Sequence, residues 1–282
     1  MTRPDPALIA QSLLDAYDHR RPIAPLTDSW PDLTLAHAYS VQLHQVRHWV
    51  GRGRRVRGHK IGLTSAAIQR QLGVDQPDYG HLTDDMFYSE SQPIPIDRFI
   101  SPKVQPEIAF VLGRELKGPG ITAAQAISSV DYVLPALEII DSRISEWKIT
   151  LVDTVADNAS SGAVVLGSTP ITLPQLATAG LSLRTMGCVL YQGGQVVGSG
   201  AGGAALGSPI NALVWLANTL GRVGISLAAE SVILPGSIKT AVPVVGDDTV
   251  TARFAGIGSV TATFRSGLGS PELTPSTTLE EK

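Results

Sequence analysis

Cysteine is almost absent from this chain of 282 residues, which contains only Cys188. A single thiol cannot form an intrachain disulfide, and it cannot supply a cysteine-rich zinc site or an iron–sulfur cluster. Histidine is also scarce: all six histidines lie at or before His81, so the later part of the chain cannot form a histidine-based site by itself. The sequence therefore excludes the metal and redox centres that require several cysteines.

Charge and long apolar runs are scarce as well. Charged residues make up only 17% of the chain, with a formal net charge of −3 and an isoelectric point near 6.1, which argues against a basic nucleic-acid-binding protein. No segment approaches the roughly 20 consecutive apolar residues of a membrane helix, and the N-terminus lacks the apolar core of a secretory signal. We therefore expect a soluble, cytoplasmic protein whose partners include neither nucleic acid nor membrane.

Apolar and turn-forming residues are abundant. Hydrophobic residues make up 43% of the chain, enough for a sizeable core, and there are 28 glycines and 19 prolines. Apolar residues recur at helical spacing in 6–19 and 33–50. Strand-like segments dominate from about residue 104 onward, interrupted by one long helix from about Pro209 to Leu220.

These patterns divide the chain into three predicted parts. We expect a helical N-terminal segment over residues 1–75 and a strand-rich catalytic core over residues 76–265. The last stretch, residues 266–282, is small, polar and proline-containing, which predicts a disordered tail.

Two glutamates lie in segments that otherwise read as apolar strands, Glu107 in PEIAFVL and Glu138 in LPALEII. An ionised glutamate inside such a strand is costly unless it is paired or binds a metal. Two of them, on two strands, are compatible with a shared divalent cation, and oxygen ligands suit Mg²⁺, Mn²⁺ or Ca²⁺ better than zinc. Gln105 lies two residues before Glu107, on the same strand face, and its amide oxygen is a candidate third ligand. The alternative is that each glutamate faces solvent on a half-exposed strand.

Lys60 opens a short apolar strand in GHKIGLTS. A desolvated lysine there would act as an acid or base with a pKa below its usual value of about 10.4; the alternative is a surface lysine at a strand edge. The segment DTVADNASSG, residues 153–162, concentrates carboxylates, hydroxyls and an amide, and is either a turn or a ligand-binding loop. The arginines of residues 52–57 are expected to form a solvated connector.

The order of these motifs resembles one family. The segments KIGLTS, GVDQPDYG, PKVQPEIAFVLGREL, YVLPALEIIDSRISEW, DTVADNASSG and GSPINALVWLA are similar to those of the 2-hydroxypenta-2,4-dienoate (2-keto-4-pentenoate) hydratases, in the fumarylacetoacetate hydrolase superfamily. The resemblance covers about residues 6–265. Sister groups are the 2-oxo-hept-3-ene-dioate hydratases and the 4-oxalocrotonate decarboxylases.

The resemblance implies an α+β fold with a mixed β-sandwich or β-roll core and a helical N-terminal segment, assembled as a homo-oligomer. It implies Mg²⁺ or Mn²⁺ held by a Glu-x-Glu pair and a later glutamate. In this sequence those metal positions are Gln105, Glu107 and Glu138. It further implies three residues near the substrate, which are Lys60, Asp78 and Ser160.

Gln105 is where this sequence departs from the family pattern, which has glutamate at that position. An amide can still ligate a hard cation, but the site loses one negative charge, so we expect weaker metal binding. The departure leaves three interpretations open: a working enzyme with altered metal use, an altered reaction, or a degenerate copy.

The function that the resemblance implies is hydration of 2-hydroxypenta-2,4-dienoate, or a close 2-oxo acid, to 4-hydroxy-2-oxopentanoate in aromatic and steroid meta-cleavage catabolism. One alternative is a decarboxylase of a 2-oxo dioate, which would need an extra cationic contact for the second carboxylate. Another is a non-catalytic subunit, which would have no need to bind metal.

Overall fold

The computed structural model describes residues 5–267, so the predicted tail lies outside the described residues except for its first two positions. The helices are Pro6–His19 (α1), Leu26–Ser29 (α2), Leu35–Gly51 (α3), Ala66–Leu72 (α4), Ala123–Ser129 (α5), Leu151–Ala156 (α6), Leu173–Thr178 (α7) and Pro209–Gly221 (α8). The strands are Val56–Gly62 (β1), Asp78–Thr83 (β2), Phe87–Tyr88 (β3), Ile94–Pro95 (β4), Lys103–Leu112 (β5), Val130–Ile140 (β6), Ser161–Leu166 (β7), Gly187–Gln192 (β8), Gln195–Ala201 (β9), Val232–Leu234 (β10), Val242–Pro243 (β11), Thr249–Phe254 (β12) and Gly258–Arg265 (β13).

The N-terminal helices form where the sequence predicts them. Asp5 caps α1, its Oδ1 accepting a hydrogen bond from the Ala7 amide at 2.9 Å, and Thr34 caps α3 in the same way. The two helices pack through buried Leu13 and Val41. Their shared cluster also includes Val155 of α6, so this helical layer lies directly against the segment that follows β6.

The larger sheet is mixed and rolled. Its strand order is β2-β1-β10-β5-β6-β7-β3, with β11 added to β5; β1 is parallel to β10 and β3 to β7, and the remaining pairs are antiparallel. Although β2 and β7 are far apart in this order, a side chain at Gly80 of β2 would lie 2.6 Å from Ser161 Oγ of β7. The sheet therefore curls until its first strand, β2, approaches β7 near the other end, and only glycine fits at Gly80.

A second sheet has five strands in the order β4-β13-β12-β8-β9. The main core joins Ile108 and Phe110 of β5 to Leu213 and Leu216 of α8 and to Val260 of β13, all of them buried. The predicted α+β class, with a mixed sandwich or roll and a helical N-terminal segment, is confirmed.

The proposed division into residues 1–75 and 76–265 stays a prediction. The structure shows that β1, which lies before residue 75, is already part of the larger sheet. Within the described part of the chain, no helix combines the length and the apolar character needed to cross a membrane.

Candidate active site

Adjacent strands bring the three predicted metal-site residues together on the inner face of the roll. Gln105 of β5 and Glu138 of β6 are directly opposite each other in the antiparallel register. Glu107 lies two residues along β5 and therefore shares their face. Both glutamates are completely buried, at 0% exposure, so the interpretation of solvent-facing glutamates is wrong.

Hydrogen bonds connect these side chains. Gln105 Nε2 lies 2.6 Å from Glu138 Oε2 and 3.4 Å from Glu107 Oε1. The amide of Gly236 donates to Glu107 Oε2 at 2.7 Å. Burial, together with the neighbouring charge of Glu138, raises the pKa of Glu107 well above its usual value. The site thus concentrates negative charge that only a nearby cation or a proton can offset.

Lys60 supplies one such cation. It is 3% exposed, so it is not a surface lysine, and its Nζ lies 3.2 Å from Glu138 Oε1. The expectation of a lowered pKa is wrong. Burial does lower the pKa of Lys60, but the surrounding carboxylates outweigh burial and raise it above its usual value. These carboxylates come from β2, β5 and β6, whose proximity to β1 is set by the fold.

Asp78 lies at the start of β2, beside Lys60 and Gly62. Its Oδ2 is 3.4 Å from the hydroxyl of Thr154, which in turn is 3.3 Å from Ser160 Oγ. Burial raises the pKa of Asp78, and the charge of Lys60 opposes that effect. Its other oxygen, Oδ1, lies beside Gly62, whose backbone N–H also opposes the rise of the pKa of Asp78. A Cβ at Gly62 would lie 2.2 Å from that oxygen, so glycine is required for this close approach.

The segment of residues 153–162, predicted as a turn or loop, begins instead as a helix. Thr150 and Asp153 form a capping box that starts α6. The turn comes later, where Asn158 and Ser160 both adopt left-handed backbone conformations, with φ of 51° and 54°. This turn directs Ser160 into the same cavity as Lys60.

Asn158 holds that turn in place, a role that sequence reasoning did not assign. Its side chain exchanges two hydrogen bonds with the backbone of His81, at 2.8 and 2.9 Å. Behind the turn, the buried guanidinium of Arg143 pairs with Asp157. Burial lowers the pKa of Arg143, but the Asp157 carboxylate outweighs burial and raises it, while burial raises the pKa of Asp157 to about 6. Arg143 lies three residues after the end of the apolar strand in LEIIDSRIS, and its short distance from that strand is the signal that the sequence gives.

We expect Asn158→Ala to reduce both stability and activity. The substitution leaves the buried amide and carbonyl of His81 without partners and places alanine in a left-handed conformation, together costing about 3 kcal/mol of unfolding free energy. Turnover should fall by about tenfold because Ser160 is displaced. Denaturant unfolding and steady-state kinetics measure the two effects. Asn211→Ala, which removes one exposed hydrogen bond to the Leu206 carbonyl, is the control. Wild-type stability for Asn158→Ala would contradict the assignment.

A cavity of about 490 Å³ opens over these groups. Its polar lining includes Lys60, Asp78, Gln105, Thr154 and Ser160. Its apolar lining includes Ile61, Leu63, Ile68, Ile140, Ile149 and Ile238. The arginines of residues 52–57 do not line it, and Arg54 pairs with Asp85 at 3.2 Å elsewhere.

The residues present fit a hard divalent cation. Within residues 5–267 no group of three or more His, Cys, Asp or Glu side chains is arranged for a metal, and the Gln105 amide is the neutral oxygen donor nearest to the two carboxylates. Its Nε2 already lies between the two carboxylates, and a half-turn of the amide presents Oε1 at the same place. The other oxygen of Glu138, Oε1, faces the ammonium group of Lys60 at 3.2 Å.

Known proteins are similar to this chain in both sequence and fold. The fumarylacetoacetate (FAA) hydrolase C-terminal family model matches residues 50–265. A 2-keto-4-pentenoate hydratase of Paraburkholderia xenovorans (strain LB400) is 48% identical over 257 residues, covering 91% of this chain and 94% of the relative. A 2-hydroxyhexa-2,4-dienoate hydratase of Comamonas testosteroni is 41% identical over 256 residues, covering 90% and 95%.

The solved structure of 4-oxalocrotonate decarboxylase from Pseudomonas putida G7, complexed with magnesium and adipate, superimposes with a TM-score of 0.88 at 37% identity, covering 94% of this chain and 98% of that one. The family model spans well over half of the chain, and the hydratases match it almost from end to end. The resemblance seen in the motifs is thereby confirmed: the chain belongs to the fumarylacetoacetate hydrolase family and, within it, to the 2-keto-4-pentenoate hydratase group of enzymes.

Proposed function

We propose that the protein is a divalent-metal-dependent hydratase that converts 2-hydroxypenta-2,4-dienoate, or a close 2-oxo acid, to 4-hydroxy-2-oxopentanoate in meta-cleavage catabolism. One observation carries this proposal. Two fully buried carboxylates and an amide converge beside a buried lysine, at the polar part of a cavity with apolar walls. The names of the hydratase relatives support the same chemistry.

Gln105, Glu107 and Glu138 are the residues that would hold Mg²⁺ or Mn²⁺. When bound, the cation supplies a Lewis acid that withdraws electrons from the 2-oxo acid group. The magnesium in the decarboxylase structure supports this choice of cofactor. Oxygen ligands alone also favour these hard ions over zinc.

Lys60 and Asp78 are placed to move the protons of the reaction. The dienol first gains a proton at C5 and loses the proton of its 2-hydroxyl, and water then adds at C4 while C3 gains a proton. Lys60, which the neighbouring carboxylates keep protonated, is suited to donate. Asp78, whose pKa is raised by burial, is suited to accept.

The hydroxyls of Ser160 and Thr154 orient the substrate. They lie 3.3 Å from each other, and both line the cavity. We assign to Ser160 a hydrogen bond to the oxygens of the 2-oxo acid. The isoleucines of the cavity wall pack against the hydrocarbon end of the substrate and exclude bulk water from that end.

The decisive experiment follows the loss of 2-hydroxypenta-2,4-dienoate with and without Mn²⁺ and identifies the product. Metal-dependent formation of 4-hydroxy-2-oxopentanoate supports the proposal. Release of carbon dioxide from a 2-oxo dioate, without hydration, would favour the decarboxylase alternative. Absence of both activities, with no Mn²⁺ bound, would favour a non-catalytic subunit.

Gln105→Glu should tighten metal binding. A third carboxylate adds a full negative charge within about 2.0–2.6 Å of the cation, and we expect an increase in Mn²⁺ affinity of about tenfold or more. If the protein is a hydratase weakened by this residue, activity at low metal concentration rises as well. If glutamine serves a different reaction, binding tightens while the native activity falls. Isothermal titration measures the affinity, and equal values for both forms would show that residue 105 does not reach the ion.

We further propose that the enzyme works as a homo-oligomer in the cytoplasm, as the family resemblance implies. Sedimentation equilibrium of the purified protein tests the assembly. A single species with the mass of one chain would contradict it.

A further inference from the structure

A second cavity lies behind the turn that carries Ser160. Its volume is about 440 Å³, within the range of about 300–1,000 Å³ that is typical of small-molecule sites. Asp141, Arg143 and Gly162 line it, whereas Ala159 and Ser160 line the active-site cavity. Among the described residues the two cavities share no lining side chain. The turn thus contacts one cavity through Ser160 and the other through Arg143.

Aromatic side chains are concentrated in the walls of the second cavity. Five of them line it, whereas Trp147 is the only one that lines the active-site cavity within the described residues. The five are Tyr17 of α1, Trp49 of α3, Phe87 and Tyr88 of β3, and Phe99 after β4. Tyr17 and Trp49 pack edge to face, with ring centroids 5.4 Å apart. Walls of this kind favour a flat aromatic ligand over a flexible polar one.

Guanidinium groups give the second cavity an excess of positive charge. Arg54 and Arg98 both contact the same oxygen, Asp85 Oδ2, at 3.2 and 2.7 Å. Two positive charges thus share one carboxylate, and both arginine side chains are partly exposed. The other charged residues that line the cavity are Asp18, Arg20, Asp141 and Arg143. Because these four balance in number, the end formed by Arg54 and Arg98 is suited to a monoanion, and a planar carboxylate matches the guanidinium geometry.

The hydroxyl of Tyr17 supplies a further hydrogen-bond donor. It is buried and has no hydrogen-bond partner within residues 5–267, which is costly for a polar group. Burial raises the pKa of this hydroxyl, while the charges of Arg143 and Arg54 oppose the rise. The hydroxyl therefore keeps its proton at neutral pH, and an anionic ligand that accepts from it would remove the cost.

Arg143 connects the second cavity to the turn. Its Nη2 donates to the Asp157 carbonyl oxygen at 3.0 Å, and its Nη1 donates to the Ser161 carbonyl oxygen at 3.2 Å. The centre of the same guanidinium lies 4.0 Å from the ring centroid of Tyr17, within the range of a cation–π contact. A ligand that moves the Tyr17 ring therefore acts on the group that holds both ends of the turn, and Ser160 lies between those ends.

We propose that the second cavity is a regulatory site for an aromatic monocarboxylic acid, whose carboxylate binds Arg54 and Arg98 and whose ring packs among the aromatic walls. The bound ring displaces Tyr17 and with it Arg143. Turnover then falls, because Ser160 leaves the position in which it contacts the substrate. The site goes beyond the proposed function, and only its kinetic effect rests on that function.

Calorimetric titration of benzoate into the Mn²⁺-loaded protein tests the site without turnover. Benzamide has the same ring and a similar shape but no charge, and we expect benzoate to bind at least about tenfold more tightly. Arg54→Met should weaken the binding of benzoate severalfold. The exposed Arg222→Met is the matched control and should leave it unchanged.

Tyr17→Phe tests the donor separately. The variant should weaken the binding of benzoate severalfold without lowering the free energy of unfolding, because its hydroxyl gives up no hydrogen bond within the described part of the chain. Tyr191→Phe, on β8 of the second sheet, is the matched control and should bind benzoate as the wild type does.

Lys60→Met distinguishes the second cavity from the active site. Benzoate bound at the active site would compete with substrate, raise only the KM and respond to the loss of Lys60. Benzoate in the second cavity should lower kcat at saturating substrate by at least about threefold, and its affinity should be retained in Lys60→Met.

The proposal is overturned if benzoate does not bind, if it binds no better than benzamide, or if Arg54→Met and Tyr17→Phe both leave its affinity unchanged. Purely competitive inhibition, or binding that leaves the turnover of an active enzyme unchanged, overturns it as well. Hydration of 2-hydroxypenta-2,4-dienoate is assayed separately without benzoate, and the binding measurements require no activity. Failure of the regulatory site and failure of the proposed function are therefore distinguishable.

Discussion

Glu138→Gln should reduce turnover by about 10³-fold or more while the protein stays folded. The substitution preserves the shape of a completely buried side chain but removes its charge, and with it one of two carboxylates available to a cation. It also removes the partner of the Lys60 ammonium group, which lies 3.2 Å away. The combined loss of a metal ligand and of the Lys60 ion pair amounts to about 4 kcal/mol in the transition state.

Steady-state kinetics with added Mn²⁺, together with calorimetric titration of the metal, measures this effect. Glu115→Gln, on the exposed surface, is the matched control and should behave as the wild type. Circular dichroism establishes that the variant is folded. The metal hypothesis would be wrong if Glu138→Gln kept full activity and EDTA did not reduce the turnover of the wild-type enzyme.

Lys60→Met is expected to lower turnover by about 10²-fold or more, because a proton donor is removed from the cavity. Metal binding should respond in the opposite direction. The carboxylates around Lys60 lose the cation that now offsets them, so the affinity for Mn²⁺ should rise or stay the same. This combination of lost turnover and retained metal distinguishes proton transfer from a merely structural role.

Two further variants sharpen the test of Lys60. Lys60→Arg keeps the positive charge, but a guanidinium does not release its proton, so turnover should remain low. Lys117→Met controls for the loss of a lysine at an exposed position. A decrease of less than about threefold in Lys60→Met would assign this residue to structure instead.

The sequence was sufficient for the parts of the molecule that depend on local pattern. The spacing of apolar residues predicted α1 and α3. The placement of Glu107 and Glu138 in apolar strands left two interpretations open, a shared cation site or solvent-facing side chains, and the structure buries both side chains on one sheet face. The strand pattern is informative because a charged side chain among buried neighbours must be paired, protonated or bound to a metal.

Features that depend on distant parts of the chain could not be predicted in the same way. The pKa of Lys60 is raised because several strands place carboxylates around it, and its local sequence GHKIGLTS contains no acidic residue. The left-handed turn at Asn158 depends on hydrogen bonds to His81, 77 positions earlier. The positions of Arg54 and Arg143 in the second cavity likewise follow only from how the helices and strands are arranged.

The parallel pairing of β1 with β10 has a consequence for how the enzyme acquires activity. It places Lys60 beside Leu234, and the same region of the chain provides the Gly236 amide that binds Glu107 across 129 positions. Contacts of such long sequence separation form slowly, because loop-closure entropy is lost before they contribute stability. A nascent chain that has not yet reached Gly236 cannot complete the site, so the return of catalytic activity during refolding reports closure of the whole sheet rather than formation of its early hairpins.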